Sequence, residues 1–222
     1  MSGSAVTTIS VNGSKGTWAS ATTNSAIFGT FTTPLTNIRM EMTITIDKLP
    51  VGGDATPRLT CRVMGANDYN IRFAFRPDGT LRLSVARTES GFVVSNIIPA
   101  MGPYQINTPY RLIAEVMGMS PTAIRAKIWQ VGNAEPAWDL QTTDSTVGYQ
   151  ATGYPTMRLN QAAAVTNKPI AYTVDNLLIW DAVGNPTGFN VSVWNGASEV
   201  TGYTISVWDG AQEQPADFDS VQ

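Results

Sequence analysis

IRMEMTITI, residues 38–46, alternates without a break. Ile38, Met40, Met42, Ile44 and Ile46 fall on one side, with Arg39, Glu41, Thr43 and Thr45 on the other. A period of two lines one face of a strand with apolar side chains, whereas a helix would scatter them around its axis. The pattern recurs in both directions from this point. Leu59, Cys61 and Val63 repeat it, as do Ile71, Phe73 and Phe75, then Leu81, Leu83 and Val85, with Arg62, Arg72 and Arg82 on the opposite, outward faces. Pro77-Asp78-Gly79 is a turn signal that closes the last two runs into a hairpin.

Further along, Leu112, Ala114 and Val116 alternate with Arg111, Ile113 and Glu115. Ile124, Ala126 and Ile128 alternate with Arg125, Lys127 and Trp129, so Arg125 and Lys127 are expected to face outward, and residues 118–122 supply the reversal between these two strands. Residues 154–160 and 170–180 read as two more extended segments. Glycine and proline interrupt the chain at short intervals, and nowhere does a helical period persist. The expected fold is all-β, an antiparallel jelly-roll sandwich followed by a small C-terminal β-hairpin repeat. Its expected divisions are an N-terminal extension or first strand at 1–15, the sandwich at 16–181, a linker at 182–188 rich in turn residues, and a tail at 189–222.

Composition removes several chemistries. The 222 residues carry a net charge of −3 and contain one cysteine and no histidine. Clustered cationic charge of the kind that holds nucleic acid is not expected from such a balance. Without histidine, Ser-His-Asp and Cys-His catalytic arrangements cannot form, and zinc loses its usual nitrogen ligand. A lone cysteine permits no intrachain disulfide, and Cys61 falls on an apolar strand face, where a thiol behaves as a small buried hydrophobe. No apolar run approaches the roughly 20 residues a membrane-crossing helix needs, and the N-terminus shows no secretory leader. Membrane insertion is therefore not expected.

The remaining candidates are acids and aromatic rings. Glu135-Pro-Ala-Trp-Asp139 brings two carboxylates close together, but retaining glucanases of sandwich fold set theirs at even spacing along a strand, and no such run occurs. No catalytic residue is assigned, and the chain is expected not to be an enzyme. Asp54, Asp68, Asp78 and Asp144 fall in expected loops, where oxygen ligands for Ca2+ could gather. Local hydrogen bonding of aspartate in turns explains them more simply, so a calcium site stays unassigned and no cofactor is implied. Tyr69, Trp129, Trp138, Tyr149 and Tyr154 lie off the alternating apolar faces and are the candidate sugar-stacking rings, with packing beneath loops as their competing role.

The chain ends on a phrase written twice, VSVWNGASE at 191–199 and ISVWDGAQE at 205–213. Each pairs an alternating strand with a favoured hairpin turn, Asn195-Gly196 in the first and Asp209-Gly210 in the second. A two-stranded hairpin is marginal in water, so Trp194 and Trp208 require something to pack against. The sandwich, a second copy of the chain or another protein could each provide it. Trp194, Asn195, Gly196, Trp208, Asp209 and Gly210 are accordingly the candidate docking residues.

Residues 65–87 and 120–146, closed by VDNLLIWD at 174–181, resemble laminin G-like and concanavalin A-like lectin/glucanase domains. The resemblance spans residues 16–181 and implies two curved antiparallel sheets that bind glycans or proteins. The tandem V-x-V-W-[ND]-G-x-x-E phrases resemble the C-termini of minor tail proteins of actinobacteriophages. That likeness implies a structural virion protein, made in the host cytoplasm without a signal peptide and displayed on the tail or outer surface. It implies as partners other virion proteins, further copies of the chain in a homo-oligomer with a trimer favoured, and a host-envelope glycan. The alternatives are a non-catalytic carbohydrate-binding module and, behind it, a glycan hydrolase.

Overall fold

In the computed structural model, the described residues are 8–12, 15–19, 26–31, 34–88, 97–98, 101–181, 191–194, 199–200, 206–208 and 213–215. They form strands and connecting turns, with no helix among them. The strands in chain order are β1 (Thr8–Asn12), β2 (Lys15–Ala19), β3 (Ala26–Phe31), β4 (Ile38–Ile46), β5 (Ala55–Met64), β6 (Asn67–Phe75), β7 (Leu81–Thr88) and β8 (Ile97–Ile98). There follow β9 (Tyr110–Met117), β10 (Thr122–Gln130), β11 (Leu140–Asp144), β12 (Tyr154–Gln161), β13 (Ala171–Asp181), β14 (Val191–Trp194), β15 (Glu199–Val200), β16 (Ser206–Trp208) and β17 (Glu213–Pro215).

Two antiparallel sheets stack to form the sandwich. Sheet A runs β1-β2-β13-β4-β9-β10-β11 and sheet B runs β15-β14-β3-β12-β5-β6-β7-β8, with β16 and β17 paired separately. The core between them follows from the alternation in each strand. Ile38, Met40, Met42, Ile44 and Ile46 of β4 meet Leu59, Cys61, Ile71, Phe73, Phe75 and Leu83 from sheet B, all buried. Burial pushes the Cys61 thiol far above its ordinary value, as befits a packing residue. Gly79 closes the β6–β7 hairpin at a φ of 79°, a conformation that costs glycine nothing, while the Asp78 carboxylate accepts the Thr80 amide at 3.0 Å.

One strand departs from the expected alternation. At a bulge between Cys61 and Met64, Arg62 adopts a φ of 54°, and its side chain turns into the end of the sandwich, where it is 0% exposed. It donates to the Thr36 carbonyl at 2.7 Å, to Thr122 Oγ1 at 2.8 Å and to the Gly118 carbonyl at 2.5 Å. The outward placement expected for Arg62 is therefore corrected, because an extra residue in a strand re-aims the side chains that follow it. Gly153 presses against the bulge, and a Cβ there would lie 2.6 Å from the Arg62 Cα.

In the tail, β14 pairs antiparallel with β3 and with β15, and so lengthens sheet B. Strands β16 and β17 pair with each other. The candidate docking residues Asn195, Gly196, Asp209 and Gly210 lie outside the described residues, and Trp194 and Trp208 are described by their backbone alone.

Candidate functional site

The outer face of sheet B is set by what the inner face buries. Leu59 and Cys61 of β5, Ile71 and Phe73 of β6, and Met157 and Leu159 of β12 point into the core. Their neighbours Arg58, Arg72 and Arg158 consequently point away from it. The register then aligns these three. Arg158 stands opposite Arg58, Arg58 opposite Arg72, and Arg72 opposite Ser84. Three guanidinium groups occupy one row across three adjacent strands, spaced about 4.8 Å apart in backbone separation.

Like charges directly opposite one another across a sheet repel. The row shows that strain in its titration. Burial first, then repulsion from Arg72 and Arg158, pushes Arg58 down to about 10. Burial also lowers Arg72 and Arg158, with the Asp68 carboxylate pulling the other way. Asp68 is held in turn by Asn70, whose carbonyl accepts the Thr60 hydroxyl at 2.9 Å. The Nε–H groups of Arg58 and Arg72 lie out of solvent with no acceptor among the described residues. A groove of about 520 Å³ lies over two members of the row, Arg58 and Arg72, and is lined also by Asp54, Thr56, Arg82 and Asn160. Arg82 is engaged by Asp54 at 2.7 Å, and Arg58 and Arg72 line the floor of the groove.

The outer face of sheet A is also charged, but its cations are paired with acids on the same face. Glu41 and Glu115 are only 3% and 4% exposed. Arg39 donates to both, Arg111 to Glu41, and Arg125 to Glu115. Trp138 packs against this network, its ring centroid 4.4 Å from the Lys127 ammonium and 4.9 Å from the Arg125 guanidinium. Lys127 is on the outer face as expected but is covered there by Glu135, Pro136 and Trp138. Glu135 pairs with Lys127, whose hydrogen bond draws the Glu135 carboxyl below its usual range; Asp139 accepts the Ile128 amide at 2.9 Å, its own carboxyl raised by burial. These two acids brace the strand ends.

The five candidate aromatic rings do not share a surface. Tyr69 and Tyr149 are each 1% exposed and pack together in the core at 5.6 Å, so neither offers a ring face to a sugar. The alternation Tyr69, Ile71, Phe73, Phe75 accounts for the first, since it continues the buried face of β6. Tyr154 is 42% exposed at the start of β12 on the sheet B side. Trp129 and Trp138 belong to the sheet A side. Of the loop acids, Asp144 accepts Tyr69 Oη at 2.8 Å and Arg87 at 2.9 Å, and Asp78 pairs with Arg76 at 2.7 Å. Among the described residues, no three acids or thiols are grouped closely enough to hold a metal ion.

No protein-family model matches the chain, and no curated protein matches it in sequence. Solved structures do match in shape. A functionally unknown protein from Saccharomyces cerevisiae superposes with a TM-score of 0.54 at 10% identity, over 82% of this chain and 95% of that one. An alginate lyase from Pseudomonas aeruginosa gives 0.52 at 9% identity, over 79% and 86% of the two chains. An alginate lyase solved with an alginate trisaccharide gives 0.50 at 12% identity, over 73% and 80%. The chain is thus an antiparallel jelly-roll β-sandwich. The sequence-based expectation that it is not an enzyme is corrected by these neighbours, because two chains with this sandwich are polysaccharide-cleaving enzymes. An absent glucanase motif excludes one catalytic solution and leaves the fold's others in place.

Proposed function

We propose that this protein engages acidic polysaccharides, with carboxylate groups of a polyuronate chain seated on the Arg158-Arg58-Arg72 row of sheet B. The row carries the reading. Planar guanidinium groups match carboxylates in a two-pronged geometry, and a polymer with an acid on every sugar offers several such groups along one line. An anion on the row would relieve the repulsion among the arginines. The occurrence of alginate lyases among chains of this fold supports the same ligand class. A guanidinium beside a uronate carboxylate also favours β-elimination, since it stabilises the negative charge that develops there when the neighbouring carbon loses its proton.

The test is calorimetric titration with alginate, polygalacturonate and a neutral glucan, beside an assay for the unsaturated sugar end that elimination leaves. The polyuronates should bind, the neutral glucan should not occupy this face, and Arg58→Met should weaken polyuronate binding at least tenfold. Equal binding by the wild type and Arg58→Met would refute the assignment.

We further infer that the setting is a virion surface, where such binding would reach a host-envelope glycan. The doubled tail phrase is the observation that favours it. Because β14 lengthens sheet B beside β3, a truncation after residue 204 keeps that strand and removes the second phrase alone. Loss of self-association, read as a fall from trimer to monomer mass, supports the inference, and an unchanged mass opposes it.

A further inference from the structure

Trp129 and Asp175 belong to strands far apart in sequence, yet they end one row on the outer face of sheet A. Asp175 of β13 stands opposite Thr43, Thr43 opposite Arg111, and Arg111 opposite Trp129. An acid, a hydroxyl, a guanidinium and an indole thus follow one another across four strands. A groove of about 290 Å³ lies over them, with Thr45, Thr173 and Asn176 completing its polar lining.

The backbone is shaped at this point. Strand β13 bulges between Asp175 and Leu178, and Asn176 takes a φ of 50°, with its amide donating to the Asp175 carboxylate at 2.9 Å. Bulges re-aim side chains locally, and this one leaves the Asn176 side chain exposed at the groove. The groove differs from the arginine row in its charge. Arg111 is committed to the buried Glu41, and the acid at the far end is Asp175. Excess positive charge is therefore absent among the groove residues, and an anion has no reason to prefer it. Trp129 is half-buried, and the Lys127 ammonium near its ring is engaged with Glu135.

We propose that this groove is a second saccharide site, specific for a neutral pyranose. The Trp129 ring supplies the apolar platform that the C–H face of a sugar packs upon. The Asp175 carboxylate and Asn176 amide take hydroxyl hydrogen bonds, and Thr43, Thr45 and Thr173 border the ring edge. This is the opposite sheet from the polyuronate row, and neither site depends on the other. The protein would hold an acidic chain on one face and a neutral sugar on the other.

The experiment titrates the full chain with neutral tetrasaccharides of glucose, mannose, galactose and xylose, followed by tryptophan fluorescence and by chemical-shift changes of the indole N–H signals. At least one should bind and shift the Trp129 indole signal. Trp129→Ala and Asp175→Asn should each weaken that binding at least tenfold while melting temperature is retained. Trp129→Phe, which keeps a ring, should recover part of it. Arg58→Met should leave neutral-sugar binding unchanged, which separates this site from the first. Binding of none of the four sugars, or binding indifferent to both Trp129→Ala and Asp175→Asn, would overturn the proposal.

Discussion

Arg58 and Arg72 face each other directly across β5 and β6, with Arg158 on the far side of Arg58 in the same row. Like charges in such register cost stability that an unliganded protein must carry. Replacing the middle one should consequently stabilise the fold. Arg58→Met is expected to raise stability by about 0.5–1 kcal/mol, a rise of roughly 1–4 °C in melting temperature for a chain of this size. Thermal melting and polyuronate titration of the same variant should move in opposite senses, with higher stability and weaker binding.

Salt should separate the two grooves. At the proposed polyuronate site binding would be by charge pairing, so affinity should fall steadily as ionic strength rises from about 0.05 to about 0.5 M, over which the screening length drops below about 5 Å. Neutral-sugar affinity should stay flat over the same range. Titrations at four salt concentrations are sufficient to read both slopes.

Arg62 should be the costliest of the arginines to replace. Its three oxygen partners come from the segment before β4, the β9–β10 turn and the start of β10, so one side chain ties both sheets at that end. Arg62→Met removes three hydrogen bonds made by one fully buried guanidinium and should cost roughly 3 kcal/mol or more, about 6–12 °C in melting temperature. Arg62→Lys should restore little, since a single ammonium cannot reach three separated oxygens. Chemical denaturation of the three proteins checks this order.

Asp144 should make the fold acid-sensitive. Burial alone would raise its carboxyl, but hydrogen bonds from Thr146 and Tyr69 and the charge of Arg87 outweigh burial and hold it below its ordinary value of 3.8. The unfolded chain therefore takes up this proton before the folded one does. The contribution is complete above about pH 3.8 and is lost as the pH falls below it toward the folded value. Asp144→Asn should be less stable than wild type at neutral pH, and the gap should narrow in acid. Denaturation midpoints between pH 2 and pH 7 measure it.

Much of the sandwich was written in the alternation. IRMEMTITI, the β6–β7 hairpin and the strand pair β9–β10 are local patterns, and each appears where its period places it. The site was less legible, for a reason of distance. That Arg72 faces outward follows from Ile71 and Phe73, and the same logic applied to Leu59 and to Met157-Arg158-Leu159 exposes Arg58 and Arg158. That all three share one row depends on β12 returning to lie beside β5, and on a register no local pattern encodes. Arg62 failed for a different reason, since a bulge inverts the alternation from which its direction was read. Tyr69 was misread as a surface ring although it continues the buried series of Ile71 and Phe73, because its neighbours Asp68 and Asn70 are those of a turn.

Strand β12 enters between β3 and β5, and β13 between β2 and β4. Both sheets are therefore completed from their middles by segments synthesised after residue 153. A nascent chain that has emerged only as far as β11 has sheet A parted into β1-β2 and β4-β9-β10-β11, has β3 parted from β5–β8 in sheet B, and lacks a complete arginine row, because Arg158 has yet to be made. Neither the arginine row nor the Trp129 groove can be complete on a growing chain, since β12 closes one and β13 the other. Both surfaces are completed only as the last third of the chain falls into place.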